Sequence, residues 1–446
     1  MLDSAVPRSS VSDHAASGEA ADLVRWVVTV GAGLTLTWIA VRTHARLGTA
    51  SAPFIGSYRL KIELGTLLAP AVAAVVLTAV RRGVHRRMRW RRLLVVSYLA
   101  AAGWALALAL VDGGNGLARP VTNPAEYLAD VDAVGADPLR FLRDFVTDAP
   151  ELSVATRQHP PLPVLLLWLS VRLGVDRPAV LGCLITLVGT LVVPLVAVAT
   201  RSLAGERAGR ELLAPLVLAP YAIWVAVSMD AVTSALGAGL VTAGVLASER
   251  GRSWCWRTGW AAGCGLLLGV GALFSYSVAW LGVSVICVYF VRRRPLLNAV
   301  SGGCALLPLA AARAAGFGWT DGLTSAQRDF SERVGPDRSA AVWSLLGVVV
   351  LVVACGPTIA ASARKIRRTP AWPFLVGAAL GVGFAVVAGL ARGEAERSWL
   401  PFFPWLLVAA VAPERAGGTP TRTPVGLVAL GAAGAVVLQA VLRTAW

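Results

Sequence analysis

The sequence predicts an all-α polytopic membrane protein of about 13 transmembrane helices, and three observations predict it. Hydrophobic residues make up 56% of the 446 positions and charged residues only 15%, where soluble domains carry about a quarter. The apolar residues fall into runs of about 20, the length that crosses a hydrocarbon core as a helix. Between the runs lie short loops crowded with arginine, the pattern of segments held on the inner face of a membrane.

Taken in order, residues 1–22 form a polar tail with Asp3, Asp13, Glu19 and Asp22. The run behind it is too long for a signal peptide, so the tail is expected in the cytoplasm. The N-terminal transmembrane helices, 23–111, contain the candidate spans 23–41, 62–80 and 93–111. The core, 178–412, contains 178–200, 211–229, 231–248, 258–274, 276–291, 296–315, 340–362, 372–391 and 399–412, and a cytoplasmic linker and last span (425–442) fill 413–446. RRGVHRRMRWRR (81–92) carries seven arginines and is placed inside, with the basic loops at 201–210, 249–257, 292–294 and 364–368. That assignment holds only if PPLPVLLLWLSVRL (160–173) does not cross. At 14 residues it suits a re-entrant or interfacial helix. The one misfit is 42–61, placed outside despite Arg42, Arg46, Arg59 and Lys61.

The net charge of +16 would suggest nucleic acid in a soluble protein. Here the basic residues sit in loops between spans, and topology accounts for them; nucleic acid is excluded as a partner. No nucleotide loop, zinc-type histidine pair or serine elbow is present. GAGLVTAG (237–244) and GCGLLLGVG (263–271) read as close helix packing. The six cysteines form no CxxC pair and read as small packing residues.

Polar residues that could carry chemistry collect on the outer side. The loop at 112–177, which includes the interfacial helix, is rich in acid before residue 158. Within NPAEYLADVDAV, a helix started by Asn123 or Pro124 would place Glu126 and Asp130 four apart on one face. Such a pair could share a divalent metal ion, the one cofactor the residues suggest, or act as base and electrostatic partner; a solvated acidic loop is the plain alternative. His159 precedes Pro160 and Pro161, beside Arg157, at the start of the apolar segment. Asp230 stands at a span boundary. Glu394, Glu396 and Arg397 precede an aromatic, proline-broken run, where Arg397 could hold a lipid phosphate or simply neutralise a neighbouring glutamate.

The order of these features resembles the GT-C superfamily of lipid-linked-sugar glycosyltransferases, nearest to actinobacterial integral membrane proteins of that type. The likeness covers roughly residues 112–412 and rests on an acidic outer loop followed by HPPL (159–162), then P-x-x-x-W-x-x-x-S-x-D (220–230), then E-R-x-W-L-x-x-x-P-W (396–405). The resemblance implies a GT-C-like fold in the cell membrane and transfer of a sugar, with inversion, from a polyprenyl-phosphate donor to a glycan, lipid or protein acceptor on the outer face. It implies a catalytic acid at Glu126, preceded here by Ala125 where relatives often carry an Asp-Glu pair, with Asp130 as the substitute. It also implies a role for His159 toward donor phosphate or acceptor, with Arg157, Arg397 or a metal as the phosphate partner and Asp230, Glu394 and Glu396 near it. A transporter or lipid flippase, and an inactive scaffold of the same fold, are the competing expectations. The first would need charges at the bilayer midplane and internal repeats.

Overall fold

The computed structural model describes residues 8–366, 368–415 and 417–444, with backbone alone at 8–17 and 64. Helix dominates, as the composition requires, with one two-stranded antiparallel ribbon that pairs Gly56–Tyr58 with Leu442–Thr444. Among the described residues, five helices are long and apolar enough to cross a membrane: Gly18–Arg42, Trp90–Asp112, Pro178–Ala204, Met229–Ala247 and Trp254–Phe274. Two more candidates are bent pairs, Leu297–Ala314 with Trp319–Asp337 at 77° and Ala340–Cys355 with Thr358–Lys365 at 109°.

Met229–Ala247 is the most enclosed of these, packed by Pro178–Thr190, Val192–Ala204, Trp254–Phe274 and Ala279–Val291. The glycine runs do the packing expected of them. A Cβ on Gly265 or Gly269 would strike the carbonyls of Ser301 and Ala305, so Trp254–Phe274 and Leu297–Ala314 lie backbone against backbone. All six cysteines are free.

Loop contacts sort into two ends. At the basic end, Arg86 donates to Glu211 at 2.7 Å and Arg210 to the Met88 carbonyl at 2.7 Å. There too, Ser202 donates to Glu249 at 2.9 Å and Arg364 to Asp22 at 3.0 Å. These bonds join most of the loops expected inside. At the other end, Lys61 reaches Asp112 at 2.8 Å and Arg46 the Pro336 carbonyl at 3.2 Å. Two of the four basic residues of 42–61, Arg46 and Lys61, are thus bonded to a carbonyl and an acid at this end.

Three expected spans are not continuous helices. The segment 211–229 divides into Glu206–Val217 and Ala222–Val225, 340–362 bends at Gly356, and 399–412 holds only the short turns Phe403–Leu406 and Val408–Val411. Each break frees backbone groups that a nonpolar interior cannot leave unpaired, and the breaks repair one another. The Tyr221 N–H donates to the Ala354 carbonyl at 2.8 Å. The Val227 N–H donates to the Thr186 hydroxyl at 2.9 Å, and Ser234 Oγ to the Leu400 carbonyl at 3.3 Å. The HPPL helix runs Leu162–Arg172, 11 residues. At about 1.5 Å per residue it is too short to cross.

Candidate functional site

Arg397 organises the acidic end. It lies in a four-residue helix, Ala395–Ser398, which begins at Glu394 in the left-handed region (φ 57°) and turns residues 395–397 inward. Its guanidinium donates from Nη1 to Glu126 Oε1 at 2.6 Å, from Nη2 to Glu126 Oε2 at 3.3 Å and from Nε to Asp230 Oδ2 at 2.9 Å. Burial opposes the charge of Arg397, but Glu126 and Asp230 hold it well above the ordinary guanidinium range. Two carboxylates on one cation leave an excess negative charge in a buried setting. Arg397 is bonded to acids 271 and 167 residues away, while the neighbouring Glu394 adds a smaller electrostatic attraction.

Each acid is aimed by local structure. Asn123 Oδ1 accepts the Ala125 N–H at 2.9 Å and the Asn123 carbonyl accepts the Glu126 N–H at 2.9 Å, a turn that leaves Glu126 extended ahead of the Tyr127–Asp130 turn. Asp230 opens its helix behind Ser228, whose hydroxyl caps the Asp230 N–H at 3.1 Å and donates to its carboxylate at 3.1 Å. Tyr127 is buried beside the cluster, with its ring edge to His159 at 5.9 Å. The His159 Nδ1 stands 3.0 Å from the Ala155 carbonyl, which assigns that nitrogen as the N–H donor.

Other expected residues stand elsewhere. Glu126 and Asp130 do not share a helical face, because Glu126 precedes the helix. Both Asp130 oxygens accept the Ser153 N–H, at 3.1 and 3.0 Å, and so anchor the helix Val154–Gln158. With one carboxylate on Arg397 and the other on Ser153, the pair does not fit a shared metal, and no group of three or more candidate ligands occurs among the described residues. Arg157 donates to Asp329 at 3.1 Å and to the Leu152 carbonyl at 3.2 Å. Asp329 also accepts from Gln158 and Arg333, and nothing in the local sequence signalled it. Glu396 is fully buried, neither of its oxygens has a hydrogen-bond partner among the described residues, and burial pushes its carboxyl up to about 8. Burial likewise raises Glu394.

Glu126, Ser228 and Arg397 line a cavity of about 30 Å³ with Trp224 and Thr444. A wider cleft of about 560 Å³ adjoins it through Thr444.

Fold and site together define a predominantly helical, multi-pass membrane protein with a charged cluster buried at one end. In structure the chain is similar to ArnT from Cupriavidus metallidurans in the apo state, at 18% identity and a TM-score of 0.44 over 70% of this chain and 59% of that one. It is similar also to the same protein bound to undecaprenyl phosphate, at 17% identity and 0.45, over 71% and 59%. The match therefore spans 59% of the length of those structures. No protein-family model and no curated protein matches the sequence.

Proposed function

We propose that the protein is a membrane glycosyltransferase that moves a sugar from a polyprenyl-phosphate donor to an acceptor hydroxyl at the acidic end, taken as the extracytoplasmic face of the cell membrane. One observation carries the reading: Glu126 and Asp230, from separate motifs of the resemblance, meet on Arg397 from the third at the edge of a cavity. Transfer forms a bond from the acceptor oxygen to the sugar carbon and breaks the bond from that carbon to the donor phosphate. The acceptor proton needs a base. The excess negative charge of the Glu126–Arg397–Asp230 group supplies one, with Glu126, which lines the cavity, as the proton acceptor. Arg397 fixes the carboxylate's orientation through two parallel bonds. The sugar and the acceptor are left to experiment.

The test is turnover of synthetic polyprenyl-phosphate sugars by the purified chain in detergent with candidate acceptors. Release of polyprenyl phosphate that depends on Glu126 is expected. Absence of release across hexosyl and pentosyl donors, from protein that remains folded, would overturn the proposal.

A further inference from the structure

We infer that the wide cleft beside the charged cluster is a phosphoryl-binding site built where the segments around residues 56–57, 119–124 and 443–444 meet, with Arg119 and Arg443 as its cations. This deepens the proposed function, which needs a seat for a phosphate, and it rests on that reading for its place in the reaction but not for its chemistry. The cleft is lined by Ser57, Arg119, Thr122, Asn123, Arg443 and Thr444 with Gly56 and Pro124, and among the described residues it contains two guanidinium groups and no carboxylate. That lining suits an oxyanion, which takes N–H and O–H donors and is repelled by acid.

Neither of the two arginines that the motifs first suggested lines this cleft. Arg397 is already bonded to two acids, so its surroundings are net negative. Arg157 is bonded to Asp329 and to the Leu152 carbonyl and lines neither space. The cleft arginines are differently placed. Arg119 is 3.6 Å from Asp112, an acid that Lys61 already holds at 2.8 Å. Arg443 is exposed and has no ion-pair partner among the described residues.

The cleft exists because Gly56–Tyr58 and Leu442–Thr444 pair as a ribbon, with Ser57 opposite Arg443. Lys61 fixes this ribbon by donating to the Leu442 carbonyl at 2.8 Å. Its volume of about 560 Å³ suits a headgroup. Thr444 lines both spaces, so a phosphoryl group here would lie next to the cavity that holds Glu126. That cavity also carries Trp224, 3% exposed, whose indole N–H has no acceptor among the described residues. A ligand oxygen reaching in from the cleft would supply one.

Binding to the purified full-length chain in detergent tests this without turnover. The probes are geranylgeranyl monophosphate, geranylgeraniol and inorganic phosphate. The wild type should bind the monophosphate at least roughly tenfold more tightly than the alcohol, the scale of one charge-assisted bond. Arg119→Gln with Arg443→Gln should abolish that preference, Arg119→Lys should keep part of it, and Arg140→Ala at the same end should leave it intact. If the double variant does not fold, Arg443→Gln alone, at an exposed position, should reduce the preference several-fold. Displacement by inorganic phosphate would mark the phosphoryl group itself as sufficient; failure of displacement would assign the site to a lipid headgroup. Equal affinity of the wild type for monophosphate and alcohol, or an undiminished preference in the folded variants, would overturn the inference. Phosphate preference without any sugar transfer would instead count against the glycosyltransferase reading and leave this site standing.

Discussion

At the residue scale, the clamp on Arg397 separates chemistry from stability. Glu126→Gln still accepts one hydrogen bond from Arg397, and Asp230 still neutralises it. The variant should therefore fold, bind donor and transfer sugar roughly 10²–10⁴-fold more slowly, the usual range for a lost general base. Transfer at the wild-type rate would move the base to Asp230. Arg397→Ala has the opposite character. It leaves two buried carboxylates without their cation, which costs about 3–5 kcal/mol. A fall in thermal midpoint in detergent, larger than any change in donor affinity, is the expected result. Glu396 gives a pH signature. Its carboxyl rises in the fold from an ordinary 4.5 to about 8, so the folded chain keeps a proton that the unfolded chain releases. Stability should be full below about pH 4.5, fall as pH rises toward 8 and level off beyond. Glu396→Gln should flatten that fall and gain thermal midpoint over the wild type at pH 9; parallel curves for the two proteins would refute it.

At the scale of elements, Asp130 holds a helix rather than a substrate. Its carboxylate anchors Ser153, and Ser153 in turn caps Val154–Gln158 through the Thr156 N–H at 3.3 Å. Asp130→Ala should cost about 1–3 kcal/mol, the range for leaving a buried donor unpaired, while the protein that stays folded transfers faster than Glu126→Gln. The same contrast explains what could be read in advance. Apolar run length and arginine placement are local properties, and they pointed to a helical chain with several long apolar segments, five of which are single helices long enough to cross a membrane among the described residues. The motifs around Glu126, Asp230 and Arg397 pointed to residues that do meet. The breaks at 218–221 and 356–357 were illegible, because an apolar run looks continuous when the partner that repairs it, Tyr221 for Ala354, is more than a hundred residues away. Likewise Glu126 and Asp130 sit at helical spacing, and only the turn made by Asn123 shows that one precedes the helix. Arg119 and Arg443 carried no signal, since their proximity depends on a ribbon joining distant segments.

At the scale of the molecule, the sorting of loops into two ends makes a labelling prediction. In a background without the native cysteines, Asp132→Cys and Ser325→Cys should react with a membrane-impermeant thiol reagent in intact cells, and Arg207→Cys should react only after permeabilisation. Labelling at 207 in intact cells would mean that Leu162–Arg172 forms part of a crossing. The ribbon between residues 56–58 and 442–444 also bears on how the protein comes into being. A ribosome delivers the first strand hundreds of residues before the second, so the cleft wall stays half-built until residues 442–444 emerge. A chain interrupted before Leu442 can hold the clamp of Glu126, Asp230 and Arg397 yet lacks Arg443 and Thr444. The wall closes only when the second strand arrives, and a product cut before Leu442 is expected to lose the preference for a phosphoryl group.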